Sequence, residues 1–155
     1  MKSIAVLFFI CITTNSLAQD YKTAIGIKGG YPGYGTINVK HFLTNTAAIE
    51  GSLGGLSRSS YGNGAFIMAV YEIQNALEEG FSWFYGGGAL LGFTNQSQNN
   101  SDSFFHSGFN GTLGLEYTFD EVPINCSLNT GPILFLTPRV QFNWGGGLAI
   151  RYAIR

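Results

Sequence analysis

Six charged side chains stand at alternate positions in otherwise apolar or small-residue stretches: Lys28, Lys40, Glu50, Glu72, Glu116 and Arg151. Three are cations and three are anions. Such a set could do two things: relay ions or protons along a path, or pair off and fill a space closed to water. A buried charge is costly unless paired, so a balanced set is what the second option requires. A second constellation is Asp102, His106 and Ser107. Those residue types can make a nucleophile, a base that activates it and an acid that orients the base. Here they crowd into a stretch rich in Ser and Asn. Catalytic sets are defined by three-dimensional geometry and not by closeness in sequence, so this one is read as coincidence. His41, His106 and the cysteines show no metal-ligand spacing. Gly86-Gly87-Gly88 and Gly145-Gly146-Gly147 open no helix, so they are not phosphate loops. The sequence therefore predicts no catalytic, metal or cofactor site, and the six charges are its candidate site residues.

The elements that must position those charges are β-strands. From Phe109 to Phe119, the odd positions are Phe, Gly, Leu, Leu, Tyr and Phe, and the even ones are Asn, Thr, Gly, Glu and Thr. A strand sends successive side chains to opposite faces, so one face is apolar and the other polar. The same pattern predicts seven further strands: 21–30, 36–42, 47–56, 65–73, 81–93, 124–134 and 142–154. Pro132 casts the end of the seventh into question, because proline donates nothing to a ladder. Connections of hairpin length are predicted at 31–35, 43–46, 58–64, 74–80, 94–103, 120–123 and 137–140. Eight strands in an up-and-down meander can close on themselves, which removes unpaired edges. An eight-stranded barrel has room for side chains but not for an aqueous channel. That favours a salt-bridged plug over an ion path for the six charges. Inward Gly86, Gly88, Gly145 and Gly147 are expected to leave room for the long charged neighbours.

Composition says what wets the outside. Charged residues are 11% of the 155-residue chain, against roughly 25% in an average soluble domain. Aromatics are 15%, and 22 residues are glycine. The apolar face ends in aromatics, and a tilted strand of roughly 9–11 residues crosses a bilayer's hydrocarbon core. The expected fold is thus all-β: an eight-stranded antiparallel up-and-down transmembrane β-barrel over residues 19–155. A net charge of −1 supplies no basic footprint for nucleic acid. Residues 1–18 are predicted to be a cleavable signal peptide: Lys2, the apolar run Ile4 to Ile12, then Ser16-Leu17-Ala18. Cys126 would then be the one cysteine of the mature chain, read as a small apolar side chain.

Lys40-His41-Phe42, Trp83-Phe84-Tyr85-Gly86-Gly87-Gly88, Gly114-Leu115-Glu116-Tyr117-Thr118-Phe119 and Gly147-Leu148-Ala149-Ile150-Arg151-Tyr152 resemble segments of the small outer-membrane β-barrel proteins of Gram-negative bacteria. That group shares the architecture of the outer membrane protein A membrane domain. The resemblance implies export through the inner membrane, insertion into the cell outer membrane by the assembly machinery, and contact with outer-membrane lipid. Members usually end on an aromatic residue, a place that Tyr152 is expected to take here. The expected function is non-enzymatic: a structural or adhesive role, or an accessory subunit of an envelope protein complex. Two alternatives remain open. One is an outer-rim enzyme that modifies lipid or peptide. The other is a soluble lipocalin-like carrier, with its apolar face turned inward around a ligand.

Overall fold

The computed structural model describes residues 21–58, 62–96 and 102–154. The predicted signal peptide lies outside them. Eight strands follow one another: β1 (Thr23–Tyr31), β2 (Gly33–Phe42), β3 (Ala47–Arg58), β4 (Gly62–Glu78), β5 (Phe81–Gln96), β6 (Asp102–Thr118), β7 (Ile124–Thr137) and β8 (Gln141–Ile154). Each pairs antiparallel with its sequence neighbour, and β1 pairs with β8 from Thr23↔Ile154 to Tyr31↔Gly146, which closes the barrel. The described residues form no helix.

All eight predicted strands form, and most run further than predicted. β4 continues through Gln74 to Glu78, with a register shift between Ala76 and Glu78, so most of the predicted 74–80 connection is strand. Only Glu79 and Gly80 turn the chain there. Gly80 has φ +73°, and a Cβ on it would sit 2.5 Å from the Thr118 carbonyl oxygen, so glycine serves both the turn and the close approach. The described part of the 94–103 connection, 94–96 and 102–103, is likewise strand, with Gln96 paired to Asp102. β7 runs on through Pro132 to Thr137, with Pro132 opposite Trp144. The 43–46 turn is pinned locally: the Ala47 amide donates to the Thr44 hydroxyl, and the Leu43 amide donates to the Ala47 carbonyl.

Wall height varies around the barrel. β1 and β2 span 9 and 10 residues, whereas β4 and β6 span 17 each. The wall is therefore lowest at the β1–β2 turn, at the end away from the termini.

Outward positions are apolar almost throughout. Ile27, Ile37, Leu53, Ile67, Leu113, Leu128 and Leu148 are each more than half exposed in mid-strand. Tyr117, Phe119 and Tyr152 stand towards the end bearing the termini, and Tyr34, Phe93, Phe142 and Trp144 towards the other. Of the charged strand side chains described, only Glu78, at the end of β4, points outward.

Inward positions form two layers. Near the termini lie the six charges with their polar partners, capped by Tyr21, Phe42, Ala24, Ala48 and Ala153. Towards the far end, Leu56, Phe66, Met68, Val70, Leu90, Ile133 and Phe135 form a buried apolar cluster.

Candidate functional site

The alternation that shapes each strand puts Lys28 (β1), Lys40 (β2), Glu50 (β3), Glu72 (β4), Glu116 (β6) and Arg151 (β8) inside the barrel. The structure joins them into one unbroken chain of ion pairs. Lys28 Nζ meets Glu50 at 2.5 Å, and the other Glu50 oxygen meets Arg151 Nη2 at 2.5 Å. Arg151 Nη1 lies 3.5 Å from Glu116, Glu116 lies 2.9 Å from Lys40 Nζ, and Lys40 Nζ lies 3.0 Å from Glu72. Five of the six are essentially sealed from solvent; Lys28 retains 12% side-chain exposure. The set sums to zero charge, and that neutrality makes its burial tolerable.

Pairing alone does not satisfy the donors, so neutral groups complete the layer. Arg151 reaches across the barrel: Nε donates to Asn38, and Nη1 donates to Asn125 at 3.0 Å and Ser127 at 2.9 Å. Lys40 Nζ also donates to Gln74 Oε1 at 2.6 Å and lies 4.5 Å from the centre of the Phe84 ring, a cation–π contact. Glu116 accepts from the Tyr21 hydroxyl at 2.7 Å and from Gln74 Nε2 at 2.8 Å. Glu72 is held least: its Oε2 faces Lys40 as an ion pair without a directed hydrogen bond. Burial first, then the Glu116 carboxylate, push the Tyr21 phenol well above its ordinary range, so it stays a donor.

Asn38, Asn125 and Ser127 are polar-face residues of strands that the sequence located. The sequence pattern places Gln74 in a connection and gives Tyr21 no role. The missed signal for Gln74 was the period of two, which continues Val70, Glu72, Gln74 past the predicted end of the strand. For Tyr21 no local signal exists, because its partner lies 95 residues away.

The four inward glycines share one role. A Cβ at Gly86, Gly88, Gly145 or Gly147 would lie 2.1, 2.0, 2.8 or 2.6 Å from the carbonyl oxygen of Tyr71, Ala69, Tyr31 or Gly29 on the neighbouring strand. Only at Gly147 is a charged side chain also near, with Lys28 Cε at 3.4 Å. Glycine there lets neighbouring strands come close, which corrects the reading that all four make room for charges.

His106 and Ser107 do not meet. Consecutive residues of β6 face opposite sides of the sheet. His106 is fully buried inside, its Nε2 2.7 Å from Thr94 Oγ1 and its ring edge-on to Phe135. Ser107 shares a hydrogen bond with the Thr137 hydroxyl at 3.1 Å. His41 Nδ1 lies 2.8 Å from the Thr23 hydroxyl. Cys126 is half-buried and carries no disulfide. Among the described residues, no three His, Cys, Asp or Glu side chains converge as metal ligands.

No protein family model, curated protein or solved structure matches this chain. What can be said of the site rests on its own geometry. That geometry is a closed, charge-neutral plug. Every cation in it is held by at least one carboxylate. It binds the strands to one another across the interior, from β1, β2 and β3 to β4, β6 and β8.

Proposed function

We propose that this chain is a non-enzymatic integral outer-membrane β-barrel protein of a Gram-negative cell envelope, inserted by the outer-membrane assembly machinery after removal of residues 1–18. Its role is structural or adhesive, or that of an accessory subunit in an envelope complex. It acts through its lipid-facing wall and its rim, since the ionic plug and the apolar cluster occupy most of the interior. One observation carries the membrane assignment: the outward wall is apolar while the charges point inward. In water that arrangement would expose far more contiguous apolar surface than a monomer tolerates. In lipid it is the stable one, because a closed barrel leaves no strand edge unpaired. The aromatics towards both ends of the wall fit two membrane interfaces.

A soluble carrier would need the opposite polarity of faces. A rim enzyme on the candidate Ser-His pair would need both side chains on one face. The test is environmental. Nitroxide labels at Leu113, Leu148 and Ile150 should report collisions with dissolved oxygen, as in hydrocarbon, and the folded protein should migrate on gels differently from the boiled form. Recovery of the folded chain from the soluble periplasm, without detergent, would overturn the assignment.

A further inference from the structure

Between the ionic plug and the apolar cluster, the interior contains a cavity of about 40 Å³. It runs up to the β1–β2 turn at Tyr31, Pro32 and Gly33, where the wall is lowest. Its lining is of three kinds. Lys28, Thr36 and Ser52 supply polar groups on one side, and Phe66, Met68 and Ile133 supply an apolar side. The backbone of Gly145, Gly146 and Gly147 in β8 forms a third surface with no side chains. Asn110 and Asn129 also line it, and each has a buried side-chain oxygen that no donor among the described residues reaches. Asn129 Nδ2 donates to the Thr112 hydroxyl at 3.0 Å, and the oxygen is the end of that amide left unpaired. Buried acceptors are rarely left unpaired, because each costs about 1–3 kcal/mol when unmade. Two together on one small cavity call for a guest that donates hydrogen bonds.

We infer that this cavity is a binding site for a small neutral polyol, or for the polyol head of a lipid. Two acceptor oxygens and two hydroxyls suit a guest that both donates and accepts. The six interior charges already cancel, so a charged guest would leave a net buried charge. The Phe66 ring and the glycine backbone suit the carbon side of a polyol. A water-sized group needs roughly 10–15 Å³ by this measure, so the space admits about three, the size of glycerol. This inference rests on the barrel interior alone and stands whether or not the membrane assignment does.

The test uses the full chain folded in detergent micelles, with the side-chain amide signals of its asparagines followed by NMR. Glycerol is added in one series and a 1-monoacylglycerol in another. The expected result is a saturable shift of Asn110 and Asn129 while Asn38 and Asn125, held by Arg151, stay put. Saturation with free glycerol assigns the site to a soluble polyol; saturation with the monoacylglycerol alone assigns it to a lipid head. Asn110→Leu and Asn129→Leu, each near-isosteric and removing an unpaired oxygen, should keep the barrel folded and weaken binding about tenfold each. Should one variant misfold, the other and Ser52→Ala carry the same comparison. If neither compound shifts Asn110 or Asn129, or if the shifts persist in the variants, the inference is wrong and the oxygens are met by water alone.

Discussion

The two halves of the barrel interior solve one packing problem in opposite ways. Near the termini, space is filled by long charged side chains whose favourable energy depends on every partner being present. Towards the far end, it is filled by Leu56, Phe66, Met68, Leu90, Ile133 and Phe135, which depend only on volume and contact. The first kind of filling is brittle. Removing one member strands another as a buried, uncompensated charge. The second is tolerant, because hydrophobic side chains of similar volume can repack. The difference means that the ionic half specifies which strands face one another, and the apolar half supplies bulk.

That contrast can be broken by substitution. Arg151→Leu removes the group that ties Glu50 to Asn38, Asn125 and Ser127, and should destabilise the fold by about 3–5 kcal/mol in denaturant unfolding. The sharpest comparison sets two conservative changes side by side. Glu116→Gln keeps the volume but leaves Lys40 and Arg151 short of a counter-charge, and should approach the same loss; Leu90→Met should cost under about 1.5 kcal/mol. Equal losses for the pair would erase the distinction between the halves. Leu90→Ala, which opens a cavity, should cost about 3 kcal/mol and show how far the apolar half can collapse.

Tyr21→Phe keeps the edge-on packing against Phe42 and deletes the bond to Glu116, for a loss of about 1.5 kcal/mol. The phenol's raised pKa sets the sign of its pH dependence. The contribution is fully present below the ordinary phenol value of about 10 and fades as pH rises through the higher folded value. Unfolding of the two proteins measured from pH 7 upward should therefore differ by a constant amount and converge only in strong alkali. The smallest effect concerns salt. Buried pairs are screened little, so raising ionic strength should leave the thermal midpoint almost unchanged; a marked fall would mean that solvent ions reach the plug.

Much of this was legible in the chain because a strand has a period of two. Glu116 between Leu115 and Tyr117, or Arg151 between Ile150 and Tyr152, announces which side is which from the sequence alone. Strand ends were less legible. Gln74-Asn75-Ala76 and Thr94-Asn95-Gln96 look like loop composition, yet both extend strands, because a paired neighbour can override weak local preference. His106 and Ser107 looked like partners because they are adjacent, and adjacency within a strand is what keeps them apart.

By itself the sequence determined the number of strands, their order, and the face on which each charge lies, since all three follow from local alternation and turn chemistry. Tertiary structure alone decided which charge meets which. Glu50 and Arg151 are 101 residues apart, and Lys40 and Glu116 are 76 apart. Only barrel closure, with β1 paired to β8, sets the stagger of the strands and so brings those groups to one height. The layering of charge beneath apolar bulk, and the cavity between them, has the same origin: no stretch of chain contains it, because it exists only across the barrel.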